Sequence, residues 1–187
     1  MSRKRTLDAK QPVTESVHYM TPQGYKALAD EQDFLIHTER PKITEIVSWA
    51  AGNGDRSENG DYIYNKKRLR EIDSRLRYLK KKLENCKIVD PKDQQGLDKI
   101  YFGATVTYAR EDAKGNEVEV TVHLVGVDEA DLEEGKINWL SPVGKALQKA
   151  EEGDVVKVKT EDGIEEIEVL EIKYIVYDLI KPLSGPI

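Results

Sequence analysis

Leu69-Arg70-Glu71-Ile72-Asp73-Ser74-Arg75-Leu76-Arg77-Tyr78-Leu79-Lys80-Lys81-Lys82-Leu83-Glu84-Asn85-Cys86 is the stretch whose reading decides the fold. In it Leu69, Ile72, Leu76, Leu79, Leu83 and Cys86 recur at spacings of three and four in alternation, the repeat that keeps one apolar seam of a helix against one partner. Stepping the same register back reaches Asn65 and Tyr62, so the spacing predicts a helix from Gly60 to Cys86, about 40 Å long at 1.5 Å per residue. Its partner lies upstream. Thr21-Pro22 is a helix start, with a hydroxyl to accept from an orphan N–H and a proline where a missing N–H does no harm. Tyr25, Leu28, Leu35, Ile43, Ile46, Val47 and Ala50 then give an apolar stripe to about Ala51. Pro41 falls inside it, removing one intrahelical hydrogen bond, which predicts a kink near Thr38–Glu39 without a change of direction. The short Gly52-Asn53-Gly54 turn forces the two helices to run antiparallel. The expected organisation is a flexible extension over 1–20, an antiparallel coiled-coil finger over 21–87, and a tip at 52–60.

Past Lys87 the period changes to two. Val118, Val120, Val122 and Leu124 alternate with Glu117, Glu119, Thr121 and His123, the pattern of a half-buried strand. Lys114-Gly115-Asn116 turns into it from a strand near Ala104–Ala109. A second hairpin pairs Val155–Thr160 with Ile164–Val176 across Asp162-Gly163, and the alternation changes phase at Val169-Leu170, which predicts a bulge. One short helix interrupts the sheet, capped by Ser141 with Pro142 in its first turn. The fold class expected is α+β: a helical hairpin, then a small antiparallel sheet domain with one helix over 88–187.

The formal charge of −6 conceals an opposition between these halves. Residues 1–87 carry 18 Lys and Arg against 13 Asp and Glu, whereas residues 88–187 carry 11 against 22. A basic half facing nucleic acid, or a partner with surfaces of both signs, accounts for such asymmetry; so does a solvated charged surface. Between Lys66 and Lys82 of the second helix, Lys66, Lys67, Arg68, Arg70, Arg75, Arg77, Lys80, Lys81 and Lys82 stand against Glu71 and Asp73 alone. The apolar seam turns these cations outward. One cysteine, Cys86, and the scattered His18, His37 and His123 give neither an internal disulfide nor a four-ligand zinc site. No run approaches the ~20 apolar residues of a membrane-spanning helix, and the N-terminus lacks a signal-peptide apolar region, so a cytoplasmic location is expected.

The tip, Gly54-Asp55-Arg56-Ser57-Glu58-Asn59-Gly60, concentrates acids at the end of the finger. Asp55-x-x-Glu58 fits a capping box, in which each side chain satisfies a backbone N–H. The same spacing also fits two carboxylates about 5–6 Å apart on one helical turn, near enough to share a hydrated divalent ion. Two carboxylates alone hold Mg²⁺ poorly, so on that reading a partner supplies the remaining ligands.

The run from Arg40-Pro41 through Gly54-Asp55-Arg56-Ser57-Glu58-Asn59 to Tyr64-Asn65-Lys66-Lys67-Arg68-Leu69-Arg70-Glu71-Ile72-Asp73 resembles the bacterial GreA/GreB transcript cleavage factors, its Arg56-Ser57 pair and Lys66–Asp73 run falling on the GreB side. Ser141-Pro142-Val143-Gly144-Lys145-Ala146-Leu147 with Gly153-Asp154 is similar to the helix and turn of the family's FKBP-like C-terminal domain. Gly60 stands where the family ordinarily has alanine, and Leu140 where some members have aspartate. The resemblance implies that the finger enters the secondary channel of RNA polymerase while the second domain docks at the channel entrance through Ser141 and Pro142. It implies that Asp55 and Glu58, supported by Arg56, Ser57 and Asn59, act beside the polymerase's own aspartates to retain a shared Mg²⁺ and promote hydrolysis of backtracked RNA. On this reading the chain is a monomer and no enzyme by itself, and Lys66, Lys67, Arg68 and Arg70 face the RNA. A channel-occupying polymerase inhibitor, a prolyl isomerase and a coiled-coil adaptor are the rival readings. The intact acid pair, the thin supply of aromatics past Lys87 and the charge concentrated at the tip argue against them in turn.

Overall fold

The computed structural model describes residues 18–52, 59–112, 114–160 and 163–175. Strand β1 (His18–Met20) leads into helix α1 (Pro22–Phe34), where the Thr21 hydroxyl accepts from the Gly24 N–H at 3.1 Å and so caps the helix as its sequence demands. After α1 the chain takes one widened turn, Leu35–Glu39, in which the Arg40 N–H reaches back to the Leu35 carbonyl. Helix α2 (Arg40–Ala51) follows directly, with no non-helical residue between. The expected kink is thus a π turn. Its cause is on the page: Pro41 has no N–H to offer the carbonyl four residues back, and the ladder shifts by one residue to keep bonding.

Helix α3 (Gly60–Glu84) runs back along α1 and α2. Ile72 and Leu79 of the predicted seam are fully buried, with Leu76, Leu83 and Cys86 partly so, and they pack with Met20, Leu28, Leu35, Tyr25 and Ile43 in one cluster. Asn65 occupies a seam position and is buried too; its amide donates to the Asp61 carbonyl at 2.8 Å. Charged pairs tie the flanks. Arg75 holds Glu31 through two bonds of 2.7 Å, Arg68 reaches Glu39 at 2.7 Å, and Arg40 reaches Asp73 at 2.9 Å.

The expected boundaries at 20/21 and 87/88 need correction. Residues 18–20 are not part of a free extension, because β1 pairs in parallel with β2 (Cys86–Ile88), His18 opposite Cys86 and Met20 opposite Ile88. This two-stranded ribbon closes the base of the finger and straddles the division between its halves. Residues 1–17 lie outside the described residues.

The second domain is a five-stranded sheet in the order β5 (Lys136–Asn138), β4 (Glu117–Val125), β3 (Thr105–Glu111), β7 (Gly163–Lys173), β6 (Val155–Thr160). Its pairings are antiparallel, as expected of this domain, with one short edge strand, β5, lying parallel to β4. Thr107 faces Glu171 while Tyr108 faces Val169, which leaves Leu170 as the extra residue of the predicted bulge. Helix α4 (Pro142–Leu147) packs on β6 and sends Leu147 into a core with Val106, Leu124, Val158, Ile167 and Val169. Tyr174 closes that core, its hydroxyl donating to the Lys99 carbonyl at 2.7 Å and accepting from the Tyr101 N–H at 3.0 Å.

The halves meet through a short turn, Val127–Glu129. Glu129 accepts from the Thr21 N–H at 3.1 Å, from the Thr21 hydroxyl, and from the Gly126 N–H at 3.0 Å. Asp128 accepts from the Tyr78 hydroxyl and pairs with Lys82 at 3.1 Å. Burial raises the pKa of Tyr78, and the carboxylate beside it raises it further. Tyr19 of β1 stacks edge-on with Trp139 at 5.1 Å and lies 5.6 Å from Phe102, adding an aromatic contact to the same joint.

Candidate functional site: the closed end of the finger

At the far end of the finger, α2 finishes at Ala51 and Gly52 turns the chain, its N–H donating to the Trp49 carbonyl at 3.1 Å. Asn59 receives the chain on the other side. Its side-chain oxygen accepts from the Tyr62 N–H at 3.2 Å, which makes it the N-cap of α3, and its side-chain amide donates to the Ala50 carbonyl at 3.0 Å. One side chain therefore satisfies an orphan donor of α3 and an orphan acceptor of α2. Asn59, expected as tip support, stands at this junction of the two helices. Asp55, Arg56, Ser57 and Glu58 themselves lie outside the described residues. Among the described residues no group of three or more His, Cys, Asp and Glu side chains is placed to hold a metal ion.

The four expected RNA contacts separate into two kinds. Lys67 and Arg70 are exposed and show no ion pair among the described residues, while Lys66 lies 5.1 Å from the Tyr62 ring and donates to its hydroxyl at 3.1 Å. Arg68 is committed elsewhere. It pairs with Glu39 across the hairpin at 2.6 Å and with Glu71 at 3.3 Å, and those two carboxylates raise its pKa above the ordinary arginine value. Its guanidinium clamps the two helices.

Ser141 caps α4, its hydroxyl accepting from the Gly144 N–H at 3.1 Å, whereas Pro142 is exposed beside Leu140, itself 42% exposed. Sequence reasoning passed over Asp128 and Glu129, whose partners lie up to 108 residues away and leave no local signal. It also passed over the exposed ring of Trp49, which did leave one: an aromatic residue off the apolar stripe formed by Ile46, Val47 and Ala50.

This architecture, a capped two-helix finger on a five-stranded domain, coincides with two successive family matches. Residues 18–88 match the family described as transcription elongation factor, N-terminal, and residues 93–174 match transcription elongation factor, GreA/GreB, C-term. The chain belongs to the GreA/GreB family of transcription elongation factors. It is similar to the transcription elongation factor GreB of Neisseria meningitidis serogroup B, 52% identical over 88% of this chain and 99% of that protein. The GreB of Yersinia pestis is 44% identical over 91% of this chain and 96% of that protein. Superposition on the crystal structure of GreA factor homolog 1 of Thermus thermophilus gives a TM-score of 0.38 at 24% identity, covering 83% of this chain and 98% of that one.

Proposed function

We propose that the protein binds RNA polymerase, inserts its helical finger toward the active centre and stimulates the polymerase's own hydrolysis of backtracked RNA, rescuing arrested complexes. The observation that carries this reading is the Asn59 bridge. By tying the end of α2 to the start of α3 at 3.0 Å, it brackets the short acidic segment carrying Asp55 and Glu58 at the extremity of a long, rigid support. Membership of the elongation-factor family supports it.

On this reading the chain is no nuclease alone; Asp55 and Glu58 complete a centre whose other ligands belong to the polymerase. Asp55 and Glu58 would be the residues of this chain that help hold a shared Mg²⁺ there, and the ion would supply polarisation of the attacking water and stabilisation of the leaving oxygen. The chain's own residues present negative charge at that point, and one carboxylate can orient or accept a proton from the water. Lys66, Lys67 and Arg70 neutralise phosphates of the extruded RNA. The second domain docks on polymerase through the surface at Leu140 and Pro142, with Ser141 holding that surface in shape as the cap of α4. The protein works as a cytoplasmic monomer. No helix of the described residues is long and apolar enough to cross a membrane.

The test is incubation with a purified, backtracked elongation complex and Mg²⁺. Appearance of a shortened RNA whose new 3′ end can be extended supports the reading, and an RNA length that stays unchanged at saturating protein would overturn it.

A further inference from the structure

Two aromatic rings near the end of the finger have no place in the core. Trp49 is 66% exposed and Tyr64 70% exposed, the largest exposures of any aromatic side chain among the described residues. Each stands one step before an inward-facing position, Trp49 before the buried Ala50 and Tyr64 before the buried Asn65. One step is about 100° around a helix of 3.6 residues per turn. The two-fold axis that relates antiparallel helices runs perpendicular to the plane containing both, and it carries one flank of the first helix onto the same flank of the second. Trp49 and Tyr64 therefore stand on one flank of the finger. The Asn59–Ala50 bond sets those two residues level, so the rings lie roughly 6 Å apart along the finger axis at 1.5 Å per residue.

The surroundings of the rings identify what they fit. Lys67 lies one turn from Tyr64 and Lys42 two turns from Trp49; both are exposed and show no ion pair among the described residues. The near neighbours on the two helices are otherwise mostly polar, Glu45 and Ser48 beside Trp49 and Asp61 beside Tyr64, with the half-exposed Ile63 the exception. A protein-docking site surrounds its aromatic anchor with several apolar side chains that exclude water, and among the described residues these rings have only Ile63 exposed beside them. Isolated rings with cations alongside are the composition that binds single-stranded nucleic acid, because every base offers a face to stack on and the cations follow the backbone. Glu45 keeps the flank from acting as a general polyanion site, which leaves ring stacking as the main contact.

We propose that Trp49 and Tyr64 form a stacking platform that takes unpaired bases of single-stranded RNA on one flank of the finger, just behind the acidic tip. This rests on the reading that the finger works on backtracked RNA, and it assigns that RNA a path along one side of the support. The platform holds the strand by its bases, while Lys67 and Lys42 meet its phosphates.

The experiment uses the full chain with stalled polymerase complexes whose backtracked RNA carries one abasic nucleotide at successive positions. With the parent protein, an abasic nucleotide at one or two positions should slow stimulated cleavage about tenfold, the effect of losing one base–aromatic stack. Trp49→Leu should slow cleavage of the fully based RNA by a similar factor and respond no further to the abasic site, and Trp49→Phe should restore most of the rate. Tyr64→Leu should do the same at a neighbouring nucleotide. If both leucine variants cleave every RNA as the parent does, the platform is overturned while the functional reading stands. If Trp49→Leu and the abasic site slow cleavage independently and additively, the ring touches polymerase protein and the RNA assignment is overturned. A parent protein that fails to stimulate cleavage of the fully based RNA would remove the functional reading itself, and the platform with it.

Discussion

Asn59 joins the two helices of the finger end to end: its amide donates to the Ala50 carbonyl at 3.0 Å while its oxygen accepts from the Tyr62 N–H at 3.2 Å. The two bonds can be removed separately. Asn59→Asp keeps the acceptor for α3 and loses the donor to α2, whereas Asn59→Ala loses both. Loss of an N-cap costs about 0.5–2 kcal/mol, and at the free end of a finger that loss acts locally. Hydrogen exchange at the Tyr62 amide should accelerate in Asn59→Ala and stay near the parent rate in Asn59→Asp. Stimulated cleavage should fall in both, since either change loosens the segment that carries Asp55 and Glu58. Equal exchange rates in all three proteins would rule out the capping role.

Replacement of Asp55 by Asn, or of Glu58 by Gln, removes charge with little change of shape. Each variant should lose most stimulated cleavage while binding polymerase and unfolding as the parent does. The capping of α3 by Asn59 strengthens the expectation of unchanged folding, because that residue supplies the N-cap of the helix. Cleavage at the parent rate by both variants would show that the acids serve the backbone alone.

Two helix glycines should respond to alanine with opposite signs. Gly60 opens α3, and an added Cβ meets nothing within 4 Å, so Gly60→Ala should stabilise by up to about 1 kcal/mol through helix propensity. Gly24 lies in the first turn of α1, where an added Cβ would come within 2.2 Å of Glu129, a side chain held by Thr21 and Gly126. Gly24→Ala should destabilise by about 1–3 kcal/mol, because the carboxylate must leave donors that it satisfies. Urea denaturation of the two variants measures both signs. In the Glu129→Ala background the cost of Gly24→Ala should shrink, the non-additivity expected of residues in contact.

Glu31 supplies a pH dependence with a definite sign. Its two hydrogen bonds to Arg75 hold its pKa below the ordinary glutamate value. A carboxylate whose folded pKa is depressed contributes stability that is present above its unfolded pKa and lost as pH falls through the folded one. Glu31→Gln should therefore cost stability at neutral pH, and the difference from the parent should vanish at acid pH below the depressed value. Both partners are more than a third exposed, so solvent screening keeps the effect small. Denaturation midpoints of the two proteins across that range provide the check.

The outcome for Pro41 shows how far sequence reading reached and where it stopped. A missing N–H is a local fact, so an irregularity before Pro41 was legible; its form as a π turn depends on how the ladder re-bonds around it, which the sequence does not state. The seam from Leu69 to Cys86, the bulge at Leu170 and the caps at Thr21 and Ser141 were legible for the same reason, each being set by residues within a few positions. The β1–β2 ribbon and the Glu129–Thr21 contact were not, because they join residues 68 and 108 positions apart. Arg68 lies between these cases. The apolar seam correctly turned it off the helix interface, but only the fold shows that Glu39 waits across the hairpin.

That distinction gives the basic helix its own test. Lys67 and Arg70 are exposed with no ion pair among the described residues, and Arg68 is held by Glu39 and Glu71. A cation that neutralises an RNA phosphate releases a counterion, and each contact to a single strand contributes about 0.7 to the slope of log affinity against log salt. Neutralising Lys67 and Arg70 together should therefore lower that slope by about 1.4, read as RNA crosslinking within the stalled complex at saturating protein so that weaker polymerase docking does not interfere. Arg68→Gln should leave the slope unchanged and instead reduce stability by about 0.2–1 kcal/mol, the range of partly exposed pairs. If the doubly neutralised protein keeps the parent slope and still cleaves long backtracked RNA, these cations only solvate the finger. If Arg68→Gln lowers the slope by as much as one full phosphate contact, the clamp opens in the complex and Arg68 rejoins the RNA-binding set.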